Sequence, residues 1–291
     1  MKVRTRDFDL KARLVRAERI GLIGDIHGDL GHLLTVLRMF RNRNIDTIVQ
    51  LGDLGLVRPP RVWDWELSKL CRALAHFDQT LYWLDGNHED HLRLAKRSVG
   101  SDGIRWIRNS IGHLPRGFRA TLSSGKALAV LGGANSIDVN YRTQEIDWWP
   151  EESITDADLE RLGTQPTDIF LGHDAPLQVM SLDAQLNPMG WTQDEVNYAN
   201  AGREFFHRAF LQVKPVICVS AHYHRHVDEV HRFRTSDGSF TSRIVVLDTG
   251  GSATKIGQAI LDVDSLDLEF LTRNGNVLDL KDTGRQIRGD K

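Results

Sequence analysis

Residues 20–29, Ile20-Gly21-Leu22-Ile23-Gly24-Asp25-Ile26-His27-Gly28-Asp29, decide how this chain folds. The apolar run from Ile20 to Ile23 reads as a buried strand. It breaks at Gly24 into a turn that carries a carboxylate and an imidazole. Asp25 and His27 lie two positions apart, so both leave the strand end toward one side. Mixed oxygen and nitrogen donors placed this way suit a divalent metal. Asp-x-His also occurs in ordinary turns, so its weight depends on what recurs downstream.

The first hundred residues alternate strand and helix. Strands are predicted at 19–24, 45–51 and 80–84, and helices at 29–43, at 61–76 and after Glu89. Leu30, Leu33, Leu34, Leu37 and Phe40 form the buried stripe of the first helix, and Val62, Trp65, Leu67, Leu70, Leu74 and Phe77 that of the second. Such alternation implies right-handed crossovers and a largely parallel sheet covered by helices. Each of the three strands runs into a polar turn: Gly24-Asp25-Ile26-His27, Gly52-Asp53-Leu54-Gly55 and Gly86-Asn87-His88-Glu89. Ligands of open α/β sheets gather at the carboxyl ends of strands. Three turns therefore deliver Asp, His, Asp, Asn and His to one edge.

Short β-like pieces at 104–107, 117–122 and 127–131 follow and look antiparallel. Residues 132–152, GGANSIDVNYRTQEIDWWPEE, form a long irregular stretch whose aromatic content favours an ordered lid. Helices are predicted at 155–162, capped by Thr155, and at 193–211, capped by Thr192 with Glu195 completing a capping box. The strand Thr167 to Leu171 ends in Gly172-His173-Asp174, and Pro215 to Ser220 ends in Ala221-His222-Tyr223-His224. Four more β-like segments lie between 227 and 271. One domain over 1–273 and a polar tail over 274–291 are expected.

Composition bounds the function. The chain has 291 residues, a net charge of −2, 41% hydrophobic and 26% charged residues, as in soluble globular proteins. That charge provides no general field for nucleic acid or anionic lipid, and no obligate nucleic-acid partner is evident. No apolar run spans a bilayer. The charged N-terminus reads as a surface segment with no signal-peptide core. Cys71 and Cys218 read as buried thiols of a cytoplasmic protein. Nothing in the sequence fixes the oligomeric state.

Taken together, Asp25-x-His27, Gly52-Asp53, Gly86-Asn87-His88-Glu89, Gly172-His173 and His222-x-His224 resemble the calcineurin-like metallophosphoesterase superfamily, in its bacterial and phage-type members, over about residues 20–250. The resemblance implies an α/β fold, a four-layer α/β/β/α sandwich with two mixed sheets. It implies a dinuclear centre in which Asp25, His27 and His224 hold one divalent ion, Asn87, His173 and His222 hold the other, and Asp53 bridges them. Manganese is the expected metal, with iron, zinc and nickel accepted by the same donors. The metals would generate a hydroxide that attacks phosphorus in line with the leaving oxygen. His88 would stand beside the site, contacting the phosphoryl group and assisting the leaving oxygen.

The pattern also departs from the phosphoprotein phosphatase branch. Where that branch has Gly-Asp-x-Val-Asp-Arg-Gly, this chain reads Gly52-Asp53-Leu54-Gly55-Leu56-Val57-Arg58. The acid that holds the catalytic histidine there is missing, which leaves Asp85, Asp90 or a backbone carbonyl to orient His88. Ala221 stands where glycine is usual, which a negative φ tolerates. Arg142 is the cation most suited to reach a substrate phosphate, and Trp148 and Trp149 could wall the cleft or stack on a base. The remaining histidines read as structural, and His226, which continues the alternation of His222 and His224, reads as part of a solvated strand face. The expected activity is metal-dependent hydrolysis of a small phosphate ester, with a nucleotide phosphodiester favoured. A phosphoprotein (Ser/Thr) phosphatase and a non-catalytic scaffold keeping the fold are the alternatives.

Overall fold

The computed structural model describes residues 10–55, 60–250, 255–272 and 275–277. Its strands are β1 Arg19–Ile23, β2 Thr47–Gln50, β3 Thr80–Trp83, β4 Arg105–Arg108, β5 Ile111–His113, β6 Arg119–Thr121, β7 Ala127–Leu131, β8 Ile169–Gly172, β9 Ile217–Ser220, β10 Val227–Thr235, β11 Gly238–Val246, β12 Gln258–Asp262 and β13 Leu268–Leu271. Its helices are α1 Leu10–Arg16, α2 Leu30–Arg41, α3 Pro60–Phe77, α4 His91–Ala95, α5 Asp156–Leu162, α6 Met180–Asp183 and α7 Gln193–Val213. One sheet has the order β13-β12-β1-β2-β3-β5-β4 and the other β10-β11-β9-β8-β7-β6. Both are mixed. In the first sheet β1, β2, β3 and β5 run parallel, with antiparallel neighbours at the flanks. In the second, β7, β8, β9 and β11 run parallel between antiparallel edges.

Side-chain alternation along the strands builds the layers. Ile20, Leu22, Val49, Leu128, Val130, Ile169 and Leu171 meet between the two sheets. Ile23, Ile48, Leu81 and Trp83 point the other way, onto α2 and α3. Ala129, Leu131, Phe170 and Cys218 face α5 and α7. Three apolar interfaces separating four layers give the expected α/β/β/α sandwich, and burying both faces of each parallel strand explains why these strands are apolar throughout.

Several expectations shift. The pieces at 104–131 form two antiparallel hairpins in different sheets, β4–β5 in the first and β6–β7 in the second, because the chain crosses between sheets there. The N-terminal segment carries α1, and its Leu14 is fully buried between the sheets. In α3 the buried stripe is Trp63, Leu67, Leu70 and Leu74, while Val62 and Trp65 are exposed; the i, i+4, i+7 spacing starting at Trp63 wins. Helices α5 and α7 begin as expected with capping boxes at Thr155 and Thr192. Cys218 is buried and Cys71 only partly so, and neither is in a disulfide. Leu56, Val57 and Arg58 lie outside the described residues, as does the 274–291 tail apart from 275–277.

Candidate metal centre

The turns that follow β1, β2 and β3 come from one sheet, and those that follow β8 and β9 from the other. All five meet where the two sheets' carboxyl ends abut. The first two turns are stitched together: the main-chain N–H groups of Ile26 and His27 donate to Asp53 O at 3.2 and 2.8 Å, and the buried Gln50 amide donates to the carbonyls of Gly24 and Gly52. Glu89, also buried, accepts the N–H of Leu54 at 2.9 Å, so the acid of Gly86-Asn87-His88-Glu89 holds the Asp53 turn and does not face the pocket.

Tight turns explain the glycines and some unusual backbone. A Cβ at Gly52 would collide with the His173 ring, and one at Gly86 with the Asp53 carboxylate. His27, Asp53, His222 and His224 all adopt positive φ, at 46, 58, 68 and 52°. Left-handed backbone at non-glycine residues costs about 1–3 kcal/mol each and collects at functional sites. Ala221 is not among the residues with positive φ, so the alanine is accommodated as expected.

The seven residues expected to bind metal converge. Asp25, His27 and His224 form one group, Asp53, His173 and His222 a second, and His27, Asp53 and His88 a third, each with donor atoms within 4.8 Å of one another. In the first group His27 Nε2 and His224 Nε2 are 2.9 Å apart, and His224 Nε2 is 2.8 Å from Asp25 Oδ2. In the second, His173 Nε2 lies 3.4 Å from Asp53 Oδ2 and 3.0 Å from Asn87 Oδ1. Asp53 Oδ1 accepts the His88 N–H at 2.8 Å, which leaves Oδ2 facing His27, His88 and His173.

Proton accounting shows what this donor set accepts. His173 Nδ1 lies 2.7 Å from Leu51 O, so Nδ1 carries the proton and donates it. Were the ring neutral, its Nε2 lone pair would face Asn87 Oδ1 and Asp53 Oδ2, and lone pairs that face one another repel unless positive charge, a second ring proton or a cation, lies between them. Asn87 cannot turn its amide nitrogen inward, because Nδ2 donates to Ser136 Oγ at 2.9 Å. The electrostatics agree. Burial opposes ionisation of Asp25 and Asp53, yet the imidazoles around them hold both carboxyls below the ordinary range. Burial also opposes a charge on His173, but Asp53 and Asp25 raise it to about 10, whereas burial, with His173 alongside, pushes His222 down to about 3. The pocket thus demands positive charge, which divalent cations supply to oxygen and nitrogen donors of this kind.

Around the donors lie residues that no sequence motif marks. Ser136 donates its hydroxyl to Glu152 Oε2 at 2.6 Å and its N–H to Glu152 Oε1 at 2.7 Å, and Tyr198 OH donates to the same carboxylate at 3.0 Å. Glu152 is fully buried, and through Ser136 it orients Asn87. The only signal in the sequence was that both belong to the long 132–152 stretch. That stretch is ordered, with short 3-10 turns at 139–141 and 150–152.

Arg142 does reach the site. Its Nη2 donates to His88 Nε2 at 2.7 Å and to Asp138 Oδ2 at 2.9 Å. Because arginine only donates, His88 is neutral with its proton on Nδ1. Burial keeps its pKa below the ordinary value, and Arg142 adds to that while Asp53 opposes it. Among the described residues neither Asp85, Asp90 nor a backbone carbonyl holds His88. Asp85 takes His113 Nε2–H at 3.0 Å and Arg116 Nε–H at 2.7 Å on the far side of the strand end, and Asp90 caps α4 through the Arg93 N–H. Trp149 is buried and Trp148 half-buried, so both pack more than they line the cleft. His226 is half-buried, against the solvated reading: its Nδ1–H reaches Val246 O at 3.2 Å and its ring packs edge-on against Phe270.

Residues 18–226, the greater part of the chain, match the sequence model of the calcineurin-like phosphoesterase family. The chain belongs to that family. No curated protein sequence is significantly similar to it. The structure of TT1561 from Thermus thermophilus superposes with a TM-score of 0.50 at 15% identity, covering 88% of this chain and 99% of that one, which is a likeness of fold. A dimetal phosphatase from Danio rerio gives a TM-score of 0.48 at 13% identity, over 91% of this chain and 98% of that one. Family membership and the donor clusters together make this a metal-dependent phosphoesterase fold with residues able to hold metal. No described helix is long and apolar enough to cross a membrane.

Proposed function

We propose that the chain hydrolyses a small phosphate ester, with a nucleotide phosphodiester favoured, at a dinuclear centre carried by residues 1–273. The observation that carries this reading is the convergence of five strand-end turns on Asp53 Oδ2. Asp25, His27 and His224 would hold one cation, Asn87, His173 and His222 the other, with Asp53 between them. Two divalent ions, manganese by preference, supply Lewis acidity toward a phosphoryl oxygen and toward water. The chain's own residues do the rest. Arg142, fixed by Asp138 and His88, presents a guanidinium to the phosphoryl oxygens. His88, beside it, touches the same group and serves the leaving oxygen. Asn87 keeps its carbonyl inward through Ser136 and Glu152. Two cysteines outside any disulfide are compatible with the cytoplasmic location we assign.

Purified protein supplied with Mn²⁺ is expected to turn over bis-p-nitrophenyl phosphate faster than p-nitrophenyl phosphate. The reverse order, together with release of phosphate from a phosphoserine peptide, would favour a phosphoprotein phosphatase. A folded, metal-loaded sample inactive on all three would make the chain a scaffold.

A further inference from the structure

Beside His222 opens a cavity of about 480 Å³, within the range of small-molecule sites. It lies between the loop that joins α6 to α7, the body of α7 and the turn after β9. Ile137, Leu186 and Trp191 supply apolar wall, and Asn200 and Arg225 supply polar groups. Tyr141, from the long 132–152 stretch, meets Trp191 edge-on at 6.1 Å, which joins the cover of the metal centre to the wall of the cavity. Trp191 is half-buried, so one part of its indole is packed and another is open.

The polar groups differ in whether they are already engaged. Arg203, which also lines the cavity, is neutralised by Asp183 at 2.7 Å. Arg225 donates only to the carbonyl of His224, at 2.9 Å, and has no carboxylate partner among the described residues. The Asn200 amide has no hydrogen-bond partner among them either. A planar apolar wall, an unengaged amide and an unpaired guanidinium thus stand next to a residue that faces the phosphoryl site. Serine or threonine, as a leaving group, is too small to fill this volume. A nucleobase offers a π-face to the indole and a donor–acceptor edge to an amide, and a nucleotide is an anion that Arg225 attracts.

Resting on the phosphoesterase reading, we infer that this cavity holds the base of a nucleotide ester whose phosphate lies at the metal centre, with Trp191 as the stacking surface and Asn200 as the edge contact. The inference commits the substrate class to nucleotides and makes Trp191 a specificity residue.

Calorimetry on the Mn²⁺-loaded protein tests it with two ligands that resist hydrolysis, adenosine 5′-methylenephosphonate and methylphosphonate. The nucleoside phosphonate is expected to bind at least about ten-fold tighter, and Trp191→Ala to remove about that factor while leaving methylphosphonate binding unchanged. Trp191→Phe is expected to keep most of the gain, and Asn200→Ala to lose part of it. Equal binding of the two phosphonates, or a gain that survives Trp191→Ala, overturns the inference and leaves phosphoester hydrolysis standing. Binding of neither phosphonate overturns both.

Discussion

His173 is fully buried, and its ring proton is taken by a main-chain carbonyl; across the pocket, the His27 and His224 side chains keep 33% and 42% of their surface exposed. The residue types are alike, yet the surroundings differ. The half formed by Asn87, His173 and His222 is braced from behind by Leu51 O and by the relay from Glu152 through Ser136 to Asn87. In the half formed by Asp25, His27 and His224 the carboxylate is buried, but both histidines reach solvent and sit on left-handed turns. Braced donors lose less freedom on binding, and groups that hydrogen-bond a ligand from behind contribute strongly to affinity. The buried half is therefore expected to bind metal tightly and the open half to exchange it. Asp53 is the residue we propose that they share.

That contrast can be broken at its centre. Asp53→Asn is expected to take turnover to background and to deplete metal from both halves, as read by hydrolysis and by elemental analysis of the purified protein. Unchanged turnover would reject Asp53 as the bridge. A smaller loss is expected at the mouth. His88→Ala should keep the metal content and slow hydrolysis by about 10²–10⁴-fold. Metal lost in that variant would move His88 into the ligand set, a role compatible with its closeness to His27 and Asp53.

Behind the buried half, Asp85 is a scaffold carboxylate. Burial opposes its charge, but Arg116 and His113 hold it well below the ordinary carboxylate range. Arg116 in turn ties the carbonyls of Glu151, Glu152 and Ser153 to this strand end. Asp85→Asn leaves a buried guanidinium without its nearest charge, at a cost of about 3–5 kcal/mol. Because the folded pKa lies below the unfolded one, the wild-type contribution is complete above about pH 4 and fades as pH falls through the folded value. Denaturation midpoints of wild type and variant should differ most near neutrality and draw together in acid. A constant gap would mean that charge is not the source. The smallest effect is expected from Ser136→Ala, which frees the Asn87 amide: metal affinity in the buried half should fall about 10–100-fold in chelator competition, with the open half unaffected. Equal weakening of both would erase the distinction between them.

What could be read in advance follows from the range of the interactions. The strand-end turns that converge on the pocket were legible because each packs a strand end, a glycine and a possible donor into three or four residues. The α5 and α7 boundaries were legible because a capping box is local. Two sheets were expected only through the family resemblance, and which strands join which sheet was not legible, since strand neighbours such as β7 and β8 are set by burial across long stretches of chain. Leu14 went unnoticed because a single leucine in a charged segment has no periodic partner. Ser136, Glu152 and Asp138 were invisible for a related reason: their work is done by hydrogen bonds within and across an irregular stretch, and no spacing rule marks such residues. Sequence named Arg142 as the cation but not its hold on His88, which needs the lid to be folded over the third turn.

Anomalous scattering from crystals grown with Mn²⁺ tests the central claim most directly. Two peaks about 3.5–4 Å apart on either side of Asp53, one against Asn87, His173 and His222 and the other against Asp25, His27 and His224, are predicted, with the buried peak the stronger after brief chelation. A single peak, or peaks away from Asp53, would contradict it.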